Sequence, residues 1–227
     1  MKYSSGRVYE GNWYDDIREG EGYERYTNGN TYKGNFHKGK AHGKGMYMWA
    51  NGETYVGDWH MGQKQGKGRW KSVNGDTYVG DWKNGKANGK GTHIWANGDQ
   101  FKGDWVEFLK HGSGTDLFAN GDTFTGEYVR GRPDGWGEYV WDNGAKYVGE
   151  FRNGLKHGKG YWTKGDNSKD NSGTSYQGEY RLDKKWGTGT FTWPSGNVYY
   201  GEYVNDERHG KGLMKWKDGS SYDGEWN

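Results

Sequence analysis

Residues 55–77 read Tyr55-Val56-Gly57-Asp58-Trp59-His60-Met61-Gly62-Gln63-Lys64-Gln65-Gly66-Lys67-Gly68-Arg69-Trp70-Lys71-Ser72-Val73-Asn74-Gly75-Asp76-Thr77. The same phrase opens at Tyr9, Tyr32, Tyr78, Phe101, Phe124 and Tyr147, always 23 residues apart. After a six-residue slip it resumes at Tyr176, Tyr199 and Tyr222. A fixed period of this length marks an array in which one supersecondary unit stacks on the next. Nine full repeats start at 9, 32, 55, 78, 101, 124, 147, 176 and 199. Half-repeats at 1–8 and 222–227 flank them, so residues 1–227 read as one array.

Numbered from the leading aromatic, position 3 is glycine in every unit, as in Gly11, Gly57 and Gly224, and position 5 is aromatic. Positions 12 and 14 are glycine in each complete unit. The period inside the unit is 2, with positions 1, 3 and 5 on one side and Val, Lys, Asp or Glu between them. That pattern predicts two short strands around a loop at positions 6–11, with Asn-Gly at positions 20 and 21 turning into the next hairpin. Helix is excluded, because each interior glycine costs a helix about 1 kcal/mol. A symmetric hairpin pairs positions that sum to 17. It sets Gly57 against Gly68, and it sets Asp58 against Lys67, Asp81 against Lys90, Glu150 against Lys159 and Glu202 against Lys211. The predicted fold is all-β: an elongated single-layer twisted antiparallel sheet of stacked hairpins with an aromatic-lined groove.

Composition agrees. Ile, Leu and Val number only 17, against 40 aromatic residues and 44 glycines. Scarce aliphatics with high net charge signal disorder, but the net charge here is +2, and aromatic rings supply the buried mass instead. Without cysteine there are no disulfides and no thiolate zinc sites. No leader-like stretch precedes the array and no apolar run reaches the roughly 20 residues of a membrane span, so the expected setting is intracellular.

The string Tyr-x-Gly-Asp/Glu-Trp/Tyr/Phe-x-x-Gly-x-x-His-Gly-x-Gly, closing on Asn-Gly-x-x, resembles the MORN repeat. The resemblance spans nearly the whole chain. It implies a single-layer sheet with an aromatic groove, and a chain of array alone is similar to the radial spoke head and retinophilin type. By that resemblance the expected role is a non-enzymatic scaffold and protein-interaction module, in a ciliary or flagellar axoneme. The alternatives are a peripheral adaptor binding phosphoinositide and joining membrane to cytoskeleton, and the accessory array of a longer enzyme.

The residues offer no catalytic, metal or cofactor site. His42, His111, His157 and His209 share position 11, but Gln65, Asn88, Asp134 and Trp186 fill it elsewhere, which argues for a backbone-bonding residue rather than a ligand. Gly-x-Gly strings such as Gly43-Lys44-Gly45 lie inside strands and precede no helix, so they are no nucleotide fingerprint. Lysines with acidic partners and a small net charge argue against nucleic acid. A membrane surface needs unpaired basic residues, for which Lys38, Lys40 and Lys44, or Arg130 and Arg132, are the short candidates.

One sheet cannot cover its own aromatic face with a second layer, so that face predicts a protein partner, as a helix or extended peptide in the groove. The predicted anchors are the rings at position 18: Tyr26, Trp49, Trp95, Phe118, Trp141, Trp193 and Trp216. Two loops depart from the pattern by placing Phe108 with Leu109, and Leu182 with Trp186, where polar residues are usual, and these four are expected to touch the partner as well. Tyr222 and Trp226 mark a final strand expected to serve homo- or hetero-oligomer formation. The insertion at 164–173 has the composition of a flexible linker.

Overall fold

The computed structural model describes residues 1–165 and 173–227, and among them it shows nineteen strands and no helix. The insertion at 164–173 therefore lies mostly outside the described residues. The chain forms two compact units, Met1–Lys110 and His111–Asn227. Each is a single layer of antiparallel hairpins in which a strand packs chiefly on its sequence neighbours.

The repeat at Tyr55 shows the construction. Thr54–His60 and Gln63–Lys71 pair around Met61-Gly62, whose φ angles are 48° and 89°. Two successive left-handed residues give a two-residue turn whose twist matches that of the strands. The expected loop at positions 6–11 is thus only positions 7 and 8, and position 11 lies in a strand.

The register holds where the sequence predicts it, then shifts. Tyr55 faces Trp70, Val56 faces Arg69 and Gly57 faces Gly68, but Trp59 faces Lys64. Two extra residues bulge from the second strand beside left-handed Gly66 (φ 66°). Asp58 therefore does not meet the Lys67 ammonium; its Oδ2 accepts the Lys67 backbone N–H at 2.9 Å. The same bond joins Lys90 to Asp81, Lys159 to Glu150 and Lys211 to Glu202. Ion pairs form one repeat over instead: Lys44 to Asp58 at 2.5 Å, Lys67 to Asp81 at 2.6 Å and Lys90 to Asp104 at 2.6 Å.

The core is a ladder of rings laid on glycine. The Tyr55 ring lies over Gly57 and Gly68, so near that a Cβ on Gly68 would sit 2.3 Å from its Oη. Its hydroxyl donates to the Asp58 carbonyl at 3.1 Å, and burial pushes that hydroxyl well above its ordinary pKa, keeping it a donor. Tyr55 meets Trp59 edge-on at 5.3 Å and Trp82 of the next repeat at 5.0 Å. Edge-to-face pairs of this kind run on within each unit, as in Tyr78 with Trp105 and Tyr176 with Tyr203. Glycine is required because no side chain fits between ring and backbone.

Candidate binding face

The position 18 rings sit where each repeat turns into the next. Trp49 N–H donates to the Glu53 carbonyl at 3.0 Å, and Gly52 N–H donates back to Trp49 at 2.9 Å. Closing this turn holds the indole beside the ladder, 4.8 Å from Tyr47. Trp95 stacks on His93 at 4.2 Å, Trp141 lies 4.6 Å from Tyr139, and Trp193 lies 4.5 Å from Phe191. Tyr26, 5.9 Å from Tyr47, and Phe118, 6.0 Å from Tyr139, complete the pattern. All six are half-buried; Trp216 is more open, at 38% exposure. Unit 1 presents Tyr26, Trp49 and Trp95, and unit 2 presents Phe118, Trp141, Trp193 and Trp216.

A second set on the same face escaped the sequence reading. The shifted register brings position 10 opposite position 5, as with Lys64 and Trp59. Position 10 is Arg18, Lys64, Lys110, Lys156, Lys185 or Arg208 in six of the nine repeats, and Ala41, Ala87 or Pro133 in the others. Lys64 Nζ lies 4.3 Å from the Trp82 ring centre, Lys110 Nζ 4.8 Å from Phe101, Lys185 Nζ 5.0 Å from Phe191 and the Arg208 guanidinium 4.4 Å from Trp226. Such contacts offset part of the cost of desolvating a cation. Burial still pulls the Lys64 and Lys185 ammonium groups below their ordinary pKa. Position 10 recurs as Arg or Lys in the sequence, so the signal was available. The symmetric register hid it by placing position 10 opposite position 7, beyond the rings.

Where Ala87 takes position 10, the face of unit 1 opens into a hollow of about 380 Å³ lined by Trp49, Lys64, Trp82, His93, Trp105 and Phe108 among others. His93 Nε2 is buried without a hydrogen-bond partner. Burial also lowers the His93 pKa, which keeps the imidazole neutral at neutral pH. A shallower and more polar hollow in unit 2 gathers Lys185, Trp193, Arg208 and Trp226.

The pattern-breaking residues fall in different places. Glu107 and Phe108 form the two-residue turn, with φ 49° and 70°. Phe108 is 52% exposed and its ring stands 6.3 Å from Trp82, on the rim of the hollow. Leu109 beside it and Leu182, itself in a turn at φ 52°, are exposed. Trp186 faces Glu179, on the opposite side of its own sheet from the Tyr180 ring, and the Arg181 guanidinium covers it at 4.8 Å. Trp226 is committed to the ladder through Tyr199 at 5.2 Å and a 3.1 Å bond from Nε1 to the Gly212 carbonyl, while Tyr222 is 44% exposed.

Position 11 supplies acceptors to the next repeat's turn. Glu19 Oε2 takes the Lys38 N–H at 2.9 Å, Gln65 Oε1 takes Asn84 at 3.1 Å and Asp134 Oδ2 takes Asn153 at 3.0 Å. His42 Nδ1 plays this part toward Met61 at 3.5 Å, whereas His157 Nδ1 is buried without a partner. Among the described residues no cluster of three or more His, Asp or Glu has a geometry to hold a metal ion. No helix among them is long and apolar enough to cross a membrane.

Comparison with known proteins follows the same outline. The MORN repeat family matches residues 9–31, 32–54, 55–77, 78–100, 101–123, 124–146, 147–169, 176–198 and 199–221. The chain belongs to that family, whose repeats support a protein-interaction or scaffold module. No curated protein matches it. Among solved structures, it is similar to the TCP10 domain of Danio rerio CPAP in complex with a peptide of Danio rerio STIL, at 14% identity, with 97% of this chain and 99% of that one covered and a TM-score of 0.49. The TCP domain of Drosophila melanogaster SAS-4, in complex with a proline-rich motif of Ana2, matches at 12% identity over 81% of this chain and 85% of that one, with a TM-score of 0.37.

Proposed function

We propose that this MORN array is a non-enzymatic scaffold whose aromatic face receives a helix or extended segment of a partner protein within a larger assembly. One observation carries the reading. In each unit a row of half-buried rings, Trp49 and Trp95 or Trp141 and Trp193 among them, lies on a face that no second layer among the described residues of that unit covers. An apolar face of this kind marks an interaction site, and large aromatic side chains dominate the energetics of such sites. A ciliary or flagellar axonemal assembly, the radial spoke head foremost, is the setting we favour, on the family resemblance of the repeats. The exposed Tyr222 strand is the proposed edge for self-association.

A membrane adaptor has weaker support. Of its basic candidates, Lys44 already pairs with Asp58.

Affinity capture from ciliated cells tests the scaffold reading, using the chain beside Trp49→Ala, Phe108→Ser and Trp186→Ser forms. Partners held by the aromatic face are lost from the first two. Their full retention in both would overturn the assignment of that face. Salt-sensitive co-sedimentation with anionic vesicles would favour the adaptor instead.

A further inference from the structure

We propose that the hollow at Ala87 in unit 1 is a docking pocket for an acidic peptide segment, which seats one large apolar side chain between Trp82 and Trp105 and sets a neighbouring carboxylate on Lys64. The proposal rests on the aromatic face being a protein-binding surface and names the chemistry of its partner.

The space exists because of one small residue. Within unit 1 position 10 alternates as Arg18, Ala41, Lys64, Ala87 and Lys110. The long cations lie across the rings beside them, whereas Ala87 ends at its Cβ and is itself 3% exposed. A volume of about 380 Å³ falls at the small end of the roughly 300–1,000 Å³ range of ligand pockets. It suits one bulky side chain with its flanking backbone. Ring walls suit an aromatic or large aliphatic group, and the hollow opens onto the same face as Trp49 and Trp95, along which a chain can continue.

The charge of the occupant follows from Lys64. On the other face of the sheet Lys44, Lys67 and Lys90 each hold an aspartate at 2.5–2.6 Å. Lys64 makes no ion pair among the described residues; it lies 4.3 Å over Trp82 and 5.4 Å over Trp49. Its burial disfavours the charge, which an incoming carboxylate restores. Burial lowers the His93 pKa, and the charges that reach it oppose one another, Asp76 raising it and Lys110 lowering it. The one carboxylate of the lining, Glu53, accepts from Asn51 Nδ2 at 3.2 Å. Glu53 favours the Lys64 charge, but burial outweighs it and leaves Lys64 the cation of the lining without an ion pair among the described residues. Electrostatic complementarity of this sort selects partners more than it adds affinity.

A random 12-residue peptide library displayed on phage and selected on the intact chain tests this. Enriched peptides are expected to carry Trp, Phe or Leu within two positions of Asp or Glu. Synthetic versions should lose roughly tenfold or more in affinity on Ala87→Trp and on Lys64→Gln. Lys64→Glu should shift selection toward Lys and Arg. Circular dichroism reports folding of each variant, and Phe108→Ser, in an exposed turn, replaces Ala87→Trp if that form does not fold. Peptides that keep full affinity on Ala87→Trp or Phe108→Ser but lose it on Trp95→Ala or Trp141→Ala would overturn the pocket and leave the binding face standing. Peptides lost on Ala87→Trp or Phe108→Ser without acidic preference would overturn the charge inference. Failure to enrich any peptide would overturn both.

Discussion

Replacing Gly68 with alanine puts a methyl carbon where the Tyr55 ring lies. The added Cβ would stand 2.3 Å from Oη and 2.5 Å from Cε2 and Cζ of a ring with no exposed surface. Neither strand gives way easily, since Gly57 across the pair is just as crowded. The ring must leave. Burying a tyrosine removes about 150–250 Å² from water, which at 25 cal/mol per Å² amounts to about 4–6 kcal/mol. A compact denatured chain trims that by up to about 40%, and the edge contacts to Trp59 and Trp82 add roughly 0.5–1.5 kcal/mol each. With the full trim the expected loss is about 3–7 kcal/mol. Gly62→Ala is the control, because nothing lies within 4 Å of its Cβ and only its left-handed backbone resists, at about 1–2 kcal/mol. Urea unfolding followed by tryptophan fluorescence, with amide hydrogen exchange in Thr54–His60 and Gln63–Lys71, reads the effect locally, as a repeat array requires. A double Gly68→Ala, Tyr55→Ala form should cost little more than Tyr55→Ala alone. A single-site cost under about 1 kcal/mol, or additive losses in the double form, would refute the ring-on-glycine account.

Three further outcomes are expected. Burial holds the Lys64 pKa below its ordinary value, so the unfolded chain binds that proton more tightly and folding opposes it at neutral pH. The melting temperature of Lys64→Met relative to the parent should therefore be highest near neutral pH and fall as pH rises toward about 10.4, the unfolded lysine value; a flat difference would contradict this. Asp122 is held below the ordinary carboxylate range first by the Tyr139 hydroxyl, 2.6 Å away, and then by the Asp142 N–H. Its depressed folded pKa means stability present above the unfolded value of about 3.9 and lost as pH falls through the folded one, so the destabilisation of Asp122→Asn should shrink in acid melts. Phe108→Gly relieves an aromatic residue held at φ 70°, and thermal melting should show a gain of about 1 kcal/mol alongside weaker partner capture. Loss of stability with unchanged capture would make Phe108 a purely structural ring.

Much of the aromatic face was legible residue by residue. Aromatics at positions 1 and 5 with glycines at 3 and 14 imply rings lying on bare backbone, and Tyr55 over Gly57 and Gly68 is that arrangement. Position 18 reads as a ring beside a turn, and Trp49 and Trp95 stand there. The bulge was not legible. Two extra residues in one strand change the facing sum from 17 to 15, and both sums pair the same sides of the strands. An alternating pattern is therefore blind to the shift. Its consequences were hidden with it: the Asp58 bond to the Lys67 N–H, the ion pair of Asp58 with Lys44, and the cations at position 10 on the rings. The early breaks in the pattern were likewise ambiguous, since Phe108 reaches the hollow while Trp186 turns to the other face of its sheet.

Periodicity alone determined the hairpin, the aromatic ladder and the family, because these depend on which residue types recur at which spacing. Tertiary structure decided which charges meet, where the aromatic face hollows out and which odd residue stands at that hollow. Those outcomes depend on a two-residue slip and on the reach of side chains from neighbouring repeats, and neither leaves a trace in the alternation of one strand.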